Sequence, residues 1–257
     1  QVTPLNFSGV ARIVPFVDFD VINADSNYDE KFWNEQHRKA SHDFSYVVAS
    51  TKKTDFWVAT GMKFNISGGF SMESAQEFER EKYVEVAVTG RVEEGKPLTI
   101  EKYAANISSM YFAKTQLVEV CEKEVLEAAQ VGFDKLLLEH KEAWAAKWQM
   151  SDIVIDGDVS AQQGIRFNIF QLNQTYTGED ERLNIGPKGF TGEKYGGSTY
   201  WDTEAYCLAF YLATSDKQVA RNLVLYRYKH LQKAIENAQK LGFTNGAALY
   251  PNGDYER

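Results

Sequence analysis

Near residue 110 the spacing of apolar residues changes, and this change constrains the fold more than any other feature of the 257-residue chain. Before it, apolar residues come in short runs or alternate with polar ones, as strands do. YVEVAVTGRV (Tyr83–Val92) sets Val84, Val86 and Val88 on one face, with Glu85 and Ala87 on the other. SYVVAS (Ser45–Ser50) and DFWVATGMKF (Asp55–Phe64) flank the polar break TKKT, which predicts a hairpin. EGKP (Glu94–Pro97) is turn chemistry ahead of a further strand, LTIEKYAANI. Phe7 to Val21 carries short apolar runs rather than helical spacing. NADSNYDEKFWNEQHRKA (Asn23–Ala40) reads as a polar excursion with one helical turn. Several strands without helices between them predict an antiparallel sandwich.

After the change the period is helical. Val118–Gln130 and Phe133–Gln149 predict two helices broken at Gly132, with Asp134 near the second start. Leu137, Trp144 and Trp148 share one side of the second. SAQQ (Ser160–Gln163) fits a capping box ahead of Ile165, Ile169, Leu172 and Tyr176. SDKQ (Ser215–Gln218) fits another and opens a helix that can run to Leu241 and stop at Gly242, about 39 Å at 1.5 Å per residue. The expected organisation is therefore a β domain over 1–108, a helical linker over 109–150 and a helical domain from 151 to 257. A few helices do not close a domain, so the chain reads as a fragment of a longer protein.

Composition narrows the function. A net charge of −8 without a Lys/Arg stripe argues against a nucleic-acid partner, because phosphate backbones need clustered cations. No run approaches the roughly 18 apolar residues of a membrane-spanning helix. The two cysteines, Cys121 and Cys207, lie in helical patterns and read as buried reduced thiols. They supply neither a disulfide framework nor a zinc cage, and the four histidines lack metal spacing. No metal or cofactor is expected. The aromatic share of 14% fits a protein that handles sugars, whose rings offer flat C–H faces to aromatic side chains.

GPKGFTGEKYGGSTYWDTEAY (Gly186–Tyr206) holds the candidate site. It is not a P-loop: the glycine spacing is wrong, Glu193 stands where a lysine is needed, and the preceding element is helical. A dinucleotide fingerprint fails for want of a βαβ unit. Two readings remain. In the first, Thr199 caps a helix, Asp202 reaches back from the third helical position, and Trp201 is a core aromatic. In the second, the helix start lines a cavity, where Asp202 accepts two vicinal sugar hydroxyls and Trp201 packs on the ring. Asp202 and Glu204 are two residues apart and diverge on a helix, so they are not the facing pair that flanks a glycosidic bond.

This stretch, with RFNIFQL (Arg166–Leu172) before it and ARNLVLYRY (Ala220–Tyr228) and GAALYP (Gly246–Pro251) after it, closely resembles glycoside hydrolase family 65. That family holds the inverting phosphorylases of maltose, trehalose, kojibiose and nigerose. The resemblance implies a β-sandwich, of which this chain carries the later part, then a helical linker and the first helices of an (α/α)6 catalytic barrel. It implies that Trp201 and Asp202 bind the reacting glucose. It further implies that Tyr195, Gly196 and Gly197 line the same subsite, in a context resembling the family's maltose-acting members. Glu204 and Thr199 would support them from behind.

The implied activity is phosphorolysis of an α-glucosidic disaccharide, maltose favoured, to β-glucose 1-phosphate and glucose. Inorganic phosphate is the co-substrate, and a cytoplasmic homodimer is expected. After GAALYP the chain reads NGDYER, departing from the family's Met-Val-Thr and acidic segment. The general acid is expected beyond Arg257, so these residues alone should be inactive. A family-65 hydrolase and a noncatalytic carbohydrate-binding protein are the alternatives. Arg166 and Arg227 read as structural ion pairs, Trp144 and Trp148 as helix packing, and His37 as a residue of the polar excursion.

Overall fold

A computed structural model describes residues 1–22, 31–186 and 199–250. Its described residues divide into two compact units, 1–22 with 31–139, and 140–186 with 199–250.

The first unit holds two four-stranded antiparallel sheets. One sheet runs β3 (Trp33–Lys39), β4 (Ser45–Thr51), β5 (Trp57–Gly68) and β8 (Leu98–Ser108). In the other, β7 (Tyr83–Val92) is central. It pairs with β6 (Phe70–Arg80) on one side, and with β1 (Gly9–Ile13) and β2 (Phe16–Asp18) on the other. Val47, Ala49 and Met62 of the first sheet meet Val17 and Val84 of the second in one buried cluster, and Phe64 meets Val86 and Val88 in another. On the opposite face of the first sheet, Tyr46, Val48, Ala59 and Tyr103 pack against Leu117, Cys121 and Val125 of α1 (Leu117–Val131). This explains why SYVVAS does not alternate. Ser45 to Ser50 is buried throughout because β4 is covered on both faces, as sheets between two layers are.

The sandwich expectation holds, with one correction and one addition. The polar excursion is no helical turn where it is described: Trp33–Lys39 is the edge strand β3. There His37 stacks on Tyr46 and their Nδ1 and hydroxyl lie 2.8 Å apart. Residues 23–30 lie outside the described residues. The addition is β6, FSMESAQEFER, whose residues beyond Phe70 are all exposed and which therefore offers no apolar alternation. Its order comes from the ladder to β7, with a bulge between Met72 and Ser74.

The two helices after residue 110 are α1 and α2 (Phe133–Ser151), parted at Gly132 with φ 83°, a conformation that favours glycine. The unit boundary falls inside α2. In the second unit, α3 (Val159–Thr175) is capped two residues earlier than its expected capping box, which begins at Ser160. Asp158 is the cap, its carboxylate accepting from Ala161 N at 2.9 Å. Gln162 of SAQQ instead ties down the incoming chain, donating to Ile153 O and accepting from Ile155 N. The expected long helix is two: α5 (Lys217–Lys229) and α6 (Leu231–Lys240), with Asp216 rather than Ser215 at the cap position. His230 lies between them at φ −94°, ψ 5°. The stop at Gly242 is as expected, with φ 85° and Phe243 N returning to Ala238 O, the Schellman arrangement.

Candidate active site

The site sits on the turn from Thr199 to Cys207, which leads into α4 (Leu208–Thr214). Its floor is an apolar cluster of Tyr176, Ile185, Tyr211, Ala220 and Leu223. Tyr211 is wholly buried and its hydroxyl donates to Leu172 O at 2.7 Å, tying α4 to α3. Thr203 is buried above this floor, its hydroxyl donating to Ile185 O at 3.1 Å.

Residues Thr203–Cys207 form a π-helical turn, a rare local geometry that is frequent at functional sites. Asp202 occupies the cap position with helical backbone angles and makes no side-chain cap bond. The capping-box reading of Asp202 is therefore corrected. Among the described residues its carboxylate has no hydrogen-bond or ion-pair partner, unlike the cap carboxylate of Asp158. Trp201 is not a core aromatic either. It is 57% exposed and lies beside the exposed Tyr206, ring centroids 5.9 Å apart. Their five-residue spacing suits the wider π turn, whose i→i+5 bonding brings the sixth residue back toward the first.

The turn is fastened from α5 by Arg227, whose guanidinium is nearly buried, its side chain 11% exposed. Nε donates to Glu204 Oε1 at 2.9 Å, Nη1 to Thr199 Oγ1 at 3.2 Å and Nη2 to Tyr200 O at 2.9 Å. The Tyr226 and Tyr250 rings lie 5.9 Å from the guanidinium carbon. Thus Glu204 turns to Arg227 while the Asp202 carboxylate stays open. Cys207 closes the turn, its thiol pushed up by burial and then by the Asp202 and Glu204 carboxylates, which disfavours a thiolate.

Of the residues singled out from sequence, the structure brings Thr199, Trp201, Asp202 and Glu204 onto this turn. Tyr195, Gly196 and Gly197 lie outside the described residues. The ion-pair reading of both arginines holds: Arg166 forks onto Asp152 at 2.8 and 2.7 Å, and Arg227 pairs with Glu204 through Nε. Sequence reasoning missed that Arg227 also holds Thr199 and Tyr200. Both lie more than 25 residues away, and no local motif announces such a contact. Trp144 and Trp148 pack with their rings 6.2 Å apart, and Trp144 lies 4.9 Å from Phe170 of α3. Among the described residues no cluster of three or more His, Cys, Asp or Glu could hold a metal, and no helix is long and apolar enough to cross a membrane.

Comparison with known proteins places this geometry. The pattern of the glycosyl hydrolase family 65 N-terminal domain matches residues 1–147, and that of the family 65 central catalytic domain matches residues 166–256. Maltose phosphorylase of Bacillus subtilis (strain 168) is 40% identical over 251 residues, 96% of this chain and 32% of the relative. Alpha,alpha-trehalose phosphorylase of Thermoanaerobacter brockii is 32% identical over 256 residues, again 96% of this chain and 32% of the relative. A solved structure of a protein described as a kojibiose phosphorylase from human microbiome superposes with a TM-score of 0.80 at 28% identity, covering 91% of this chain and 30% of that one. The chain spans about a third of the length of the curated relatives it matches. On these matches, and with a two-sheet unit followed by helices bearing the Trp201–Asp202 turn, the chain belongs to glycoside hydrolase family 65.

Proposed function

We propose that the full-length protein carries out inverting phosphorolysis of an α-glucosidic disaccharide, maltose by preference, releasing β-glucose 1-phosphate and glucose. The observation that carries this reading is the open carboxylate of Asp202 beside the exposed Trp201, on a turn whose Thr199, Thr203 and Glu204 side chains are engaged in structural bonds. A carboxylate accepts hydrogen bonds and does not donate, which suits two vicinal hydroxyls of a glucose ring. The Trp201 indole face suits the ring's C–H surface. Tyr195, Gly196 and Gly197 would complete the glucose subsite, with Glu204 and Thr199 keeping its turn in place.

In the reaction a phosphate oxygen attacks the anomeric carbon from the face opposite the glycosidic oxygen. The C–O bond to the leaving glucose breaks, and that oxygen takes a proton from a carboxylic acid. Phosphate replaces the water and catalytic base of an inverting hydrolase, so one acid suffices. That acid lies outside the residues of this turn. Asp202 binds and orients; it transfers no proton. The protein would work as a cytoplasmic homodimer with inorganic phosphate as co-substrate and no further cofactor. The relative named for maltose supports the substrate choice at 40% identity, against 32% for the one named for trehalose.

Incubating the full-length protein with maltose, with and without phosphate, tests the reading. Glucose release should require phosphate and be matched by glucose 1-phosphate. Phosphate-independent glucose release would show a hydrolase, and sugar binding without turnover a noncatalytic binding protein; either overturns it.

A further inference from the structure

We infer that Arg227 is the positioning residue of the glucose subsite, holding Trp201 and Asp202 in place without touching the sugar. The inference rests on the reading of Asp202 as a sugar ligand and adds a residue to it. Its basis is where the three nitrogens of one guanidinium are spent. Two donate to residues immediately before the Trp201–Asp202 pair, Thr199 Oγ1 and Tyr200 O, and the third to Glu204, two residues after it. The pair is thus bracketed by one rigid planar group rooted on α5. A guanidinium fixes the mutual distances of its acceptors, because its N–H groups form a fixed fork, whereas a lysine ammonium on a flexible stem cannot span all three.

Two further features make the bracket stiff. The Arg227 side chain is nearly buried, so its bonds to Glu204 and Thr199 face little competition from solvent. From the other side, the buried Thr203 hydroxyl is anchored to Ile185 O. Between these anchors the backbone of Trp201 and Asp202 has little freedom, and the π turn that follows keeps the Asp202 carboxylate clear of a cap bond. Glu204 acts as the counter-ion that keeps Arg227 in place, and Arg227 sets where the Asp202 carboxylate meets the ring. In a site of this kind a displacement of about 1 Å costs on the order of 100-fold in rate.

The test is a double-mutant cycle on the full-length protein, reading kcat/KM for maltose with phosphate alongside the melting temperature. Arg227→Lys, Asp202→Asn and the double variant are compared with the parent. If Arg227 acts through the placement of Asp202, Arg227→Lys lowers kcat/KM by about 10- to 100-fold. Adding it to Asp202→Asn then changes kcat/KM by less than about 2-fold. Full multiplication of the two losses overturns the inference, because Arg227 would then act independently of Asp202. So does an Arg227→Lys variant with unchanged kinetics beside an impaired Asp202→Asn, an outcome that leaves the sugar-ligand reading standing. Unchanged kinetics in Asp202→Asn alone reports failure of that underlying reading instead. Should Arg227→Lys not fold, Glu204→Gln removes the charged partner at nearly constant volume. The same non-additivity with Asp202→Asn is then expected, and its absence overturns the inference.

Discussion

Strand β4 and the turn that carries Asp202 are held in place by opposite means. β4 is buried from Ser45 to Ser50, with side chains packed into apolar layers on both faces and its backbone paired to β3 and β5. The Asp202 turn has two exposed aromatics, an open carboxylate and a π-helical backbone. Its order comes from polar anchors, Arg227 from α5 and Ile185 from the preceding segment. Apolar burial is non-directional and scales with area, so it makes a strand stable without fixing any one atom. Charge-assisted hydrogen bonds are directional, so they can fix atoms while leaving other groups free for a ligand. The β unit spends its residues on stability and the turn spends its residues on position.

The sharpest way to break this comparison is at Asp202. If the turn exists to present that carboxylate, Asp202→Asn should cost on the order of 2–4 kcal/mol in kcat/KM, or about 30- to 1000-fold, with little change in melting temperature. A drop in stability with intact kinetics would make the carboxylate another structural group, and the contrast with β4 would disappear. The counterpart in the β unit is Gly61 on β5. A Cβ there would lie 2.5 Å from the Phe44 ring and 2.7 Å from Cys121 Sγ. Gly61→Ala should therefore destabilise the β unit by about 1–3 kcal/mol through overpacking, as read by denaturant unfolding. Retention of full stability would show a looser layer between the sheet and α1 than the burial implies.

A third prediction uses pH. Cys121 is wholly buried, with Sγ 3.6 Å from Ala105 O and 3.8 Å from Ala59 O, and burial pushes its thiol from 9.0 up to about 11. The folded state thus holds the proton more tightly than the unfolded chain does. Stability from this group is fully present below pH 9.0 and falls as pH rises toward about 11, by on the order of 2 kcal/mol. Unfolding measured across that range for the parent and for Cys121→Ala should diverge by this amount; parallel curves would contradict it. The smallest effect is expected at Thr203. Thr203→Val leaves Ile185 O without its hydroxyl donor and should cost about 1–2 kcal/mol of stability. A smaller loss of kcat/KM should accompany it, which isolates the second anchor from Arg227.

Much of the β unit was readable before any coordinates because its signals are local. The β4–β5 hairpin, the valines of β7 and the helix break at Gly132 each follow from a period or a backbone preference spanning a few residues. What escaped, β3 and β6, are edge strands whose side chains are largely exposed, so pairing rather than pattern holds them. At the site, the Trp201–Asp202 pair stood out in the sequence, but its geometry did not. The T-x-x-D spacing argued for a capping box, and the structure instead lends Thr199 to Arg227 and leaves Asp202 open.

By itself, then, the amino-acid sequence determined the switch from strands to helices, the antiparallel layers, the Schellman stop at Gly242 and the family to which the chain belongs. Only the tertiary structure decided which carboxylate is engaged and which is open, where the long helix divides, and what holds the Asp202 turn. The physical reason is range. Periodicity and turn preference act over a few neighbouring residues, whereas Arg227 reaches Thr199 across 28 positions and Thr203 reaches Ile185 across 18. Such contacts exist only once the chain has brought those segments together.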